Sequence, residues 1–260
     1  MGKIIAITNQ KGGVGKTTTA INITAALAHN QKKVLLIDLD QQANATIGVG
    51  LSRELIDLTS YDLLATDIDA AEVIYNNLGK NFSIIPASTK LSSIYQPMAH
   101  NINRQFVLRN KLQTVKDEYD YIILDCPPSL GLIVDNAMIA SDSVIIPAEC
   151  EFFAYDALTQ MINQINKIQK IKTQFGEKLT IEGVLLTKLD NRALYGYKMM
   201  DKVKEMFPSK TFKTVINRSI HIEEAPLYGQ SVLQYAYNSK GSKDYRELVK
   251  EILRNNGEDI

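Results

Sequence analysis

The stretch Gln10-Lys11-Gly12-Gly13-Val14-Gly15-Lys16-Thr17-Thr18 lies between an apolar run and a helical pattern. The preceding run, residues 4–8, is rich in β-branched residues, as is typical of a buried strand. After the stretch, apolar residues recur at the spacing of an α-helix, at Ala20, Ile21, Ile23, Ala26 and Leu27. A strand, a glycine-rich loop, Gly-Lys-Thr and a helix, in this order, indicate a P-loop that binds phosphates.

The residue types in this loop match that chemistry. Glycines let backbone N–H groups point inward around phosphates, Lys16 adds a positive charge, and the Thr17 hydroxyl can bind Mg²⁺. Gln10 stands where a glycine is usual, and a second lysine, Lys11, precedes the double glycine. The residues predicted to hold the nucleotide phosphates are Lys11, Gly12, Gly13, Val14, Gly15, Lys16, Thr17 and Thr18.

Composition narrows the class of protein. A chain of 260 residues with 45% apolar and 22% charged residues is ordinary for a globular α/β domain with a full core. Basic and acidic residues both number 29, so any nucleic acid would have to bind a local patch. No run approaches the roughly 20 apolar residues that span a bilayer, and the first strand leaves no room for a signal peptide. We therefore expect a cytoplasmic protein with Cys126 and Cys150 reduced.

Strand-like runs alternate with helical patterns nearly to the end of the chain. The predicted strands are 4–8, 34–40, 82–87, 121–125, 143–147, 181–187 and 213–216. The predicted helices are 16–29, 102–116, 131–140, 152–172, 196–206 and 243–254. This alternation predicts an α/β fold with a doubly wound, mostly parallel sheet flanked by helices, which binds ligands at the carboxyl ends of the strands. No linker or repeat divides the chain, so we expect a single domain over residues 1–260.

Three carboxylates follow predicted strands at that edge. Asp38 and Asp40 end the second strand, and Asp125 ends the fourth as in a Walker B element. Buried carboxylates at this place need a cation, and Mg²⁺ is the first candidate. A strand-terminal turn is the alternative for Asp38 and Asp40, because aspartate favours turns. The predicted metal site consists of Thr17, Asp38 and Asp125.

Two further patterns leave alternatives open. Thr187-Lys188-Leu189-Asp190 fits the [NT]KxD pattern of GTPases, in which a carboxylate such as that of Asp190 accepts from guanine, although the same residues can start a helix. Residues 163–218 carry twelve Lys/Arg against five Asp/Glu, which predicts either a basic face or an ordinary solvated surface. The polar side of helix 243–254 mixes both signs, unlike a membrane-surface helix, so we expect no membrane attachment.

Residues 11–18 resemble the deviant Walker A box of the ParA/Soj partition ATPases, a group that includes the MinD-like proteins. Residues 38–46 resemble the switch I of that family, residues 125–132 its switch II, and residues 146–151 a further family segment. Glu224-Ala225-Pro226 is similar to a motif late in these sequences. The resemblance covers nearly the whole chain.

The resemblance implies a homodimer that forms with ATP and Mg²⁺. Lys11 would reach the partner's phosphates, Asp40 would position the attacking water, and Asn217 and Arg218 would lie near the adenine. It further implies that the ATP dimer binds double-stranded DNA without sequence preference, through Arg192 and Arg218, and so associates with the nucleoid. A ParB-type partner would stimulate slow hydrolysis and release, and the cycle would segregate plasmid or chromosomal DNA.

Several residues depart from the family pattern. Gln41 and Asn217 replace prolines, Ala43 replaces a glycine, and His221 replaces an arginine associated with DNA contact. No helix-turn-helix precedes the first strand, so operator binding is not expected. A MinD-like positioning ATPase for a membrane or protein cargo and a GTPase are the remaining alternatives. An iron–sulphur ATPase is disfavoured because Cys126 directly follows Asp125.

Overall fold

The computed structural model describes residues 2–76, 78–149, 154–190 and 194–258. Its centre is a six-stranded sheet in the order β3-β2-β4-β1-β5-β6, in which every neighbouring pair is parallel. The strands are β1 (Lys3–Ile7), β2 (Val34–Asp38), β3 (Phe82–Ile85), β4 (Tyr121–Asp125), β5 (Ser143–Glu149) and β6 (Thr180–Thr187). The predicted α/β sheet is confirmed.

Helices connect and cover these strands. The α-helices are α1 (Lys16–His29), α2 (Asn44–Gly48), α3 (Ser60–Ala65), α4 (Tyr95–Met98), α5 (Val107–Leu112), α6 (Leu132–Ala140), α7 (Ala154–Thr173), α8 (Leu194–Met206), α9 (Ile220–Glu224), α10 (Val232–Tyr235) and α11 (Lys240–Asn255). Short 3₁₀ turns lie at Arg53–Leu55, Ala70–Val73, Thr89–Ser93, Arg104–Phe106, Lys116–Glu118 and Ala225–Tyr228.

The sheet has a hydrophobic core on each face, because successive strand residues point to opposite sides. In β4, Ile122 and Leu124 pack with α5, α6 and α7, whereas Ile123 packs with α1 and α11. All three side chains are fully buried. Coverage on both faces explains why the strand segments of the sequence are continuously apolar.

The predicted strand 213–216 is wrong. Beside β6 the chain forms only isolated bridges, of Thr211 with Val184 and of Asn217 with Leu189. The backbone N–H groups of residues 213 and 214 instead donate to the carboxylate of Glu251 at 2.7 and 3.0 Å. A continuous ladder cannot form because side-chain acceptors take these donors.

The predicted helix 102–116 is also wrong as a single element, because α5 is short and 3₁₀ turns stand at both ends of it. Asn136 of α6 explains one break: its Nδ2 donates to the carbonyl of Arg104 at 2.8 Å, and its Oδ1 accepts from the N–H of Leu108 at 3.1 Å. The other predicted elements agree with the structure to within about three residues, except that residues 152–153 lie outside the described ranges.

Candidate nucleotide site

The loop between β1 and α1 leads into the N-terminus of a 14-residue helix. Gly15 precedes that helix with a φ of 87°, and no side chain caps the helix. Gly13 has a φ of 79°, and a Cβ placed at Gly12 or Gly13 would meet no atom within 4 Å. The free N–H groups of an uncapped helix and the open space beside the glycines suit an anion such as phosphate.

Lys16 lies in the first turn of α1 and is only 7% exposed. Its Nζ donates to the carbonyl oxygen of Lys11 at 3.0 Å, so the side chain folds back over the loop. Burial lowers the pKa of Lys16, and the nearby charge of Asp125 opposes this shift. The predicted residues Thr17 and Thr18 follow it, half-buried, in the same turn. The loop therefore holds a cation where phosphates would lie.

Asp125, the last residue of β4, is fully buried, and neither of its carboxylate oxygens has a hydrogen-bond partner of normal geometry within the described ranges, although the Thr17 hydroxyl is close enough to lower its pKa. Burial raises the pKa of Asp125, and the charge of Asp38, its neighbour across β2 and β4, raises it further. A buried carboxylate without a partner is costly unless a cation lies beside it. The residues fit Mg²⁺, which binds one or two carboxylates and completes its shell with waters and phosphate oxygens.

Asp38 is also fully buried, but protein groups already bind its oxygens. Oδ1 accepts from the N–H of Asp40 at 3.1 Å, and Oδ2 accepts from the N–H and the hydroxyl of Thr46 at 2.9 and 2.7 Å. Burial raises the pKa of Asp38 to about 6 despite these hydrogen bonds. With about four acceptor positions on a carboxylate, Asp38 keeps room for one further contact.

Asp40 follows directly and is 8% exposed. Its Oδ1 accepts from the N–H of Gln42 at 3.0 Å, and its carbonyl accepts from the N–H of Ala43 at 2.8 Å. Ala43 has a φ of 54°, in the left-handed region where glycine is favoured. A tight turn thus fixes Asp40 at the carboxyl edge of the sheet, beside Lys16 and Asp125.

Lys11 contacts its own subunit. Its N–H donates to Oδ1 of Asn9 at 3.0 Å, and its Nζ lies 3.4 Å from Oε2 of Glu149 at the end of β5. The other oxygen of Glu149, Oε1, lies 2.6 Å from Nζ of Lys188. The structure therefore brings two lysines onto one carboxylate beside the phosphate loop.

The segment that fits the guanine pattern is tied to the P-loop. The hydroxyl of Thr187 donates to the carbonyl of Val14 at 2.9 Å, and Lys188 pairs with Glu149. Lys188 also has a left-handed φ of 54°. The first two residues of the pattern therefore fasten β6 to the phosphate loop and to β5.

Asn217 is fixed by Asp244 of α11, which sequence reasoning missed. The N–H and Nδ2 of Asn217 both donate to Oδ2 of Asp244, at 3.0 and 2.8 Å, while Lys240 contacts Oδ1 at 2.6 Å. An ionised carboxylate can accept a hydrogen bond from the side-chain nitrogen of Asn217 but not from its side-chain oxygen, so Asp244 sets the orientation of the Asn217 amide. Position 244 lies four residues before Leu248, on the apolar face of α11, and an acidic residue there was the available clue.

The two residues predicted to bind DNA differ in what the structure says of them. Arg218 is exposed, and its Nε lies 3.7 Å from Oε1 of Glu223. Arg192 lies outside the described residues, as does Cys150. Of the twelve basic residues in 163–218, Lys172 does not contribute to a surface, because it is buried and its Nζ donates to the carbonyl of Ile139 at 2.9 Å.

The sheet order and this site define a P-loop nucleotide-binding protein, and residues 2–181 match the family model of an AAA domain. The chain is 45% identical to the sporulation initiation inhibitor protein Soj of Bacillus subtilis (strain 168) over 98% of this chain and 100% of Soj. It is 38% identical to the chromosome partitioning protein ParA of Myxococcus xanthus (strain DK1622), over 98% and 89% of the two chains.

Among solved structures, cobyrinic acid a,c-diamide synthase from Mycobacterium smegmatis, with bound ATP analog and magnesium, superposes with a TM-score of 0.85 at 27% identity, over 99% of this chain and 96% of that one. The chain belongs to the AAA domain family and, within it, to the ParA/Soj-type partition ATPases. No helix in the described ranges has the length and apolar composition needed to cross a membrane.

Proposed function

We propose that this protein is an ATP-hydrolysing switch that dimerises around bound ATP and segregates DNA. The observation that carries the proposal is the buried carboxylate of Asp125, which has no hydrogen-bond partner among the described residues and lies near the buried ammonium of Lys16. A magnesium nucleotide complements both groups, since it supplies a cation to one and phosphates to the other. The Soj and ParA relatives and the ligands of the M. smegmatis synthase support the same reading.

The roles of the site residues follow from their places. The N–H groups of residues 12–18 and the ammonium of Lys16 bind the phosphates. Thr17 and Asp125 would hold Mg²⁺ directly or through water, and Asp38, in register with Asp125 across β2 and β4, would add negative charge beside them. The ion would supply positive charge that offsets the charge of the phosphates.

Hydrolysis needs a positioned water and a further cation. Asp40, held by its tight turn, orients the attacking water. Lys11 from the partner subunit reaches the terminal phosphate and stabilises the charge that develops there. A second subunit thus completes the site, which explains why ATP and dimerisation are coupled in this proposal.

The nucleobase lies toward β6 and the loop at Asn217. Asp38 and Asp125 lie on β2 and β4, whereas β5 and β6 lie on the other side of β1. A nucleotide with its terminal phosphate near the carboxylates therefore directs its base toward β6. Because Asp244 accepts a hydrogen bond from the amide nitrogen of Asn217, the Oδ1 of Asn217 remains as an acceptor for the base. That acceptor matches the amino group of adenine and not the carbonyl of guanine, which favours ATP over GTP.

The proposed dimer binds double-stranded DNA without sequence preference. Basic residues of 163–218, among them Arg192 and Arg218, contact phosphates, and two subunits on one duplex raise avidity about 10²–10⁴-fold. A ParB-type partner stimulates slow hydrolysis and so releases the protein from the nucleoid. Residues 1–260 act as one domain in this scheme, since a single sheet carries both cores.

A DNA-binding titration with ATP, ADP and GTP tests the scheme. We expect binding with ATP only, a steep fall with salt, and a log–log slope reduced by about one in Arg218→Ala. Arg254 is an exposed arginine on α11, so the Arg254→Ala variant is the matched control and should bind DNA normally. Equal binding with ATP and ADP would contradict a DNA switch, binding to anionic vesicles instead would favour a MinD-like cargo, and a GTP response would favour the GTPase.

A further inference from the structure

Glu149 is a carboxylate in an unexpected place, next to a loop that binds anions. It ends β5, and its side chain is only 12% exposed. In the sheet it is in register with Thr187, whose hydroxyl donates to the P-loop carbonyl of Val14. A negative charge here repels a triphosphate unless cations neutralise it. Phosphate binding alone therefore does not explain this residue.

The contacts of Glu149 connect it to the residue proposed to act in trans. One oxygen lies 3.4 Å from Nζ of Lys11, and the other lies 2.6 Å from Nζ of Lys188. Lys188 is held there by a left-handed backbone conformation directly after β6. Both lysines thus share one partly buried anion in the single subunit.

We infer that Glu149 is a latch that retains Lys11 in its own subunit until a second nucleotide-loaded subunit arrives. The inference rests on the proposed function, in which Lys11 contacts the partner's phosphates. On docking, Lys11 exchanges the carboxylate of Glu149 for those phosphates. Lys188 keeps Glu149 neutralised after Lys11 has left, which makes the exchange easier.

The two latch residues therefore have opposite effects. Removing the charge of Glu149 weakens the hold on Lys11 in its own subunit. Lys188 and Lys11 compete for the carboxylate of Glu149. Without Lys188, Glu149 holds Lys11 more tightly. In the double variant position 149 carries no charge, so the loss of Lys188 no longer changes the hold on Lys11, and the effect of Glu149→Gln alone remains. A residue with a merely structural role would not give this pattern of signs.

The first experiment measures ATP-dependent dimerisation by light scattering against protein concentration. Partly exposed ion pairs correspond to about two- to fivefold in an equilibrium constant. We expect the midpoint concentration to fall about threefold in Glu149→Gln, to rise about threefold in Lys188→Met, and in the double variant to match Glu149→Gln. Thermal unfolding checks that each variant is folded.

The second experiment does not depend on dimers. An N-hydroxysuccinimide ester labels the nucleotide-free protein, and mass spectrometry follows the rate at Lys11. We expect the rate to rise about two- to fivefold in Glu149→Gln and to fall in Lys188→Met, because the carboxylate covers the amine. The rate at exposed Lys170 should stay constant in all proteins and serves as the internal control.

The outcomes separate the latch from the function beneath it. Unchanged labelling at Lys11, together with identical dimerisation curves for a wild type that dimerises with ATP, overturns the latch alone. A wild type that does not dimerise with ATP overturns the proposed function and the latch's role in it. Opposite shifts in the two single variants support the latch.

Discussion

The two edges of the sheet treat buried charge differently. At the amino edge, Lys172 is buried, caps the carbonyls at the end of α6, and lies 3.6 Å from Glu177. Arg109 donates to the same carboxylate, with its Nε 3.0 Å from Oε1. At the carboxyl edge, Asp125 is buried with no hydrogen-bond partner in the described part of the chain.

Backbone strain, by contrast, is found at both edges. Gln31 and Asn81, which precede β2 and β3, have positive φ at the amino edge, as Ala43 and Lys188 do at the carboxyl edge. The difference between the two edges therefore lies in buried charge, and buried carboxylates with shifted pKa values cluster at functional sites. The amino edge therefore pairs its buried charges within the protein, whereas the carboxyl edge presents buried carboxylates of the kind that hold a metal ion.

The largest expected effect concerns chemistry at the carboxyl edge. Asp40→Ala should bind ATP and dimerise but hydrolyse ATP about 10²–10⁴-fold more slowly, as when a water-positioning group is lost. Single-turnover hydrolysis measures the rate, and nucleotide binding serves as the control. An unchanged rate would assign the positioning of water to another residue.

The next effect concerns stability at the amino edge. Lys172→Met keeps the volume of the side chain but removes two hydrogen bonds from buried carbonyls, so we expect a loss of about 2–3 kcal/mol in the free energy of unfolding. Nucleotide affinity should not change. Lys170→Met, on the exposed side of the same helix, is the matched control and should stay within about 0.5 kcal/mol. A drop in nucleotide affinity would break the proposed division between the edges.

Much of this division was visible in the sequence. The P-loop glycines, Lys16 and Asp125 have fixed spacings relative to strands, so periodicity and motif together predicted their positions. The sheet was predictable because parallel strands are continuously apolar. The pairing of Lys11 with Glu149 was not predictable, since it depends on how β5 lies beside the loop.

The errors have a common physical origin. Residues 213–216 have a strand-like composition, but Glu251 of α11, distant in sequence, accepts from the N–H groups of residues 213 and 214. The helix predicted over 102–116 is interrupted because Asn136 of a later helix bonds its backbone. In both places a tertiary side-chain contact overrides a local propensity. Asp244 was overlooked for the same reason, because its partner Asn217 is 27 residues away.

At the carboxyl edge, removing the charge of Asp125 should stabilise the fold at the expense of magnesium binding. Asp125→Asn removes a buried charge whose desolvation outweighs the attraction of the nearby Lys16, so the nucleotide-free protein should gain about 1–2 kcal/mol in stability while losing magnesium-dependent ATP binding. Urea unfolding in a chelator measures the first effect, and ATP titration with and without Mg²⁺ the second. A destabilised variant would show that Asp125 has a structural partner.

The pH dependence provides a control for that prediction. The pKa of Asp38 is raised to about 6, and that of Asp125 is raised as well, above an unfolded value of about 3.9. The folded protein therefore binds more protons than the unfolded chain. The contribution of these two groups to the free energy of unfolding falls as the pH rises from about 4 through 6. Wild-type stability in a chelator should decrease over this range, and it should decrease less in Asp125→Asn.

The smallest expected effect is that of replacing Ala43, whose left-handed backbone conformation strains the turn before α2. Ala43 and Ala45 are fully buried neighbours, but Ala43 has a φ of 54°, whereas Ala45 lies inside α2. Ala45→Gly loses a methyl group and helix propensity, together about 1–2 kcal/mol. Ala43→Gly loses the same methyl group but relieves about 1–2 kcal/mol of left-handed strain, so its stability should hardly change. Urea unfolding of both variants measures the difference. Equal losses would show that the turn before α2 is unstrained.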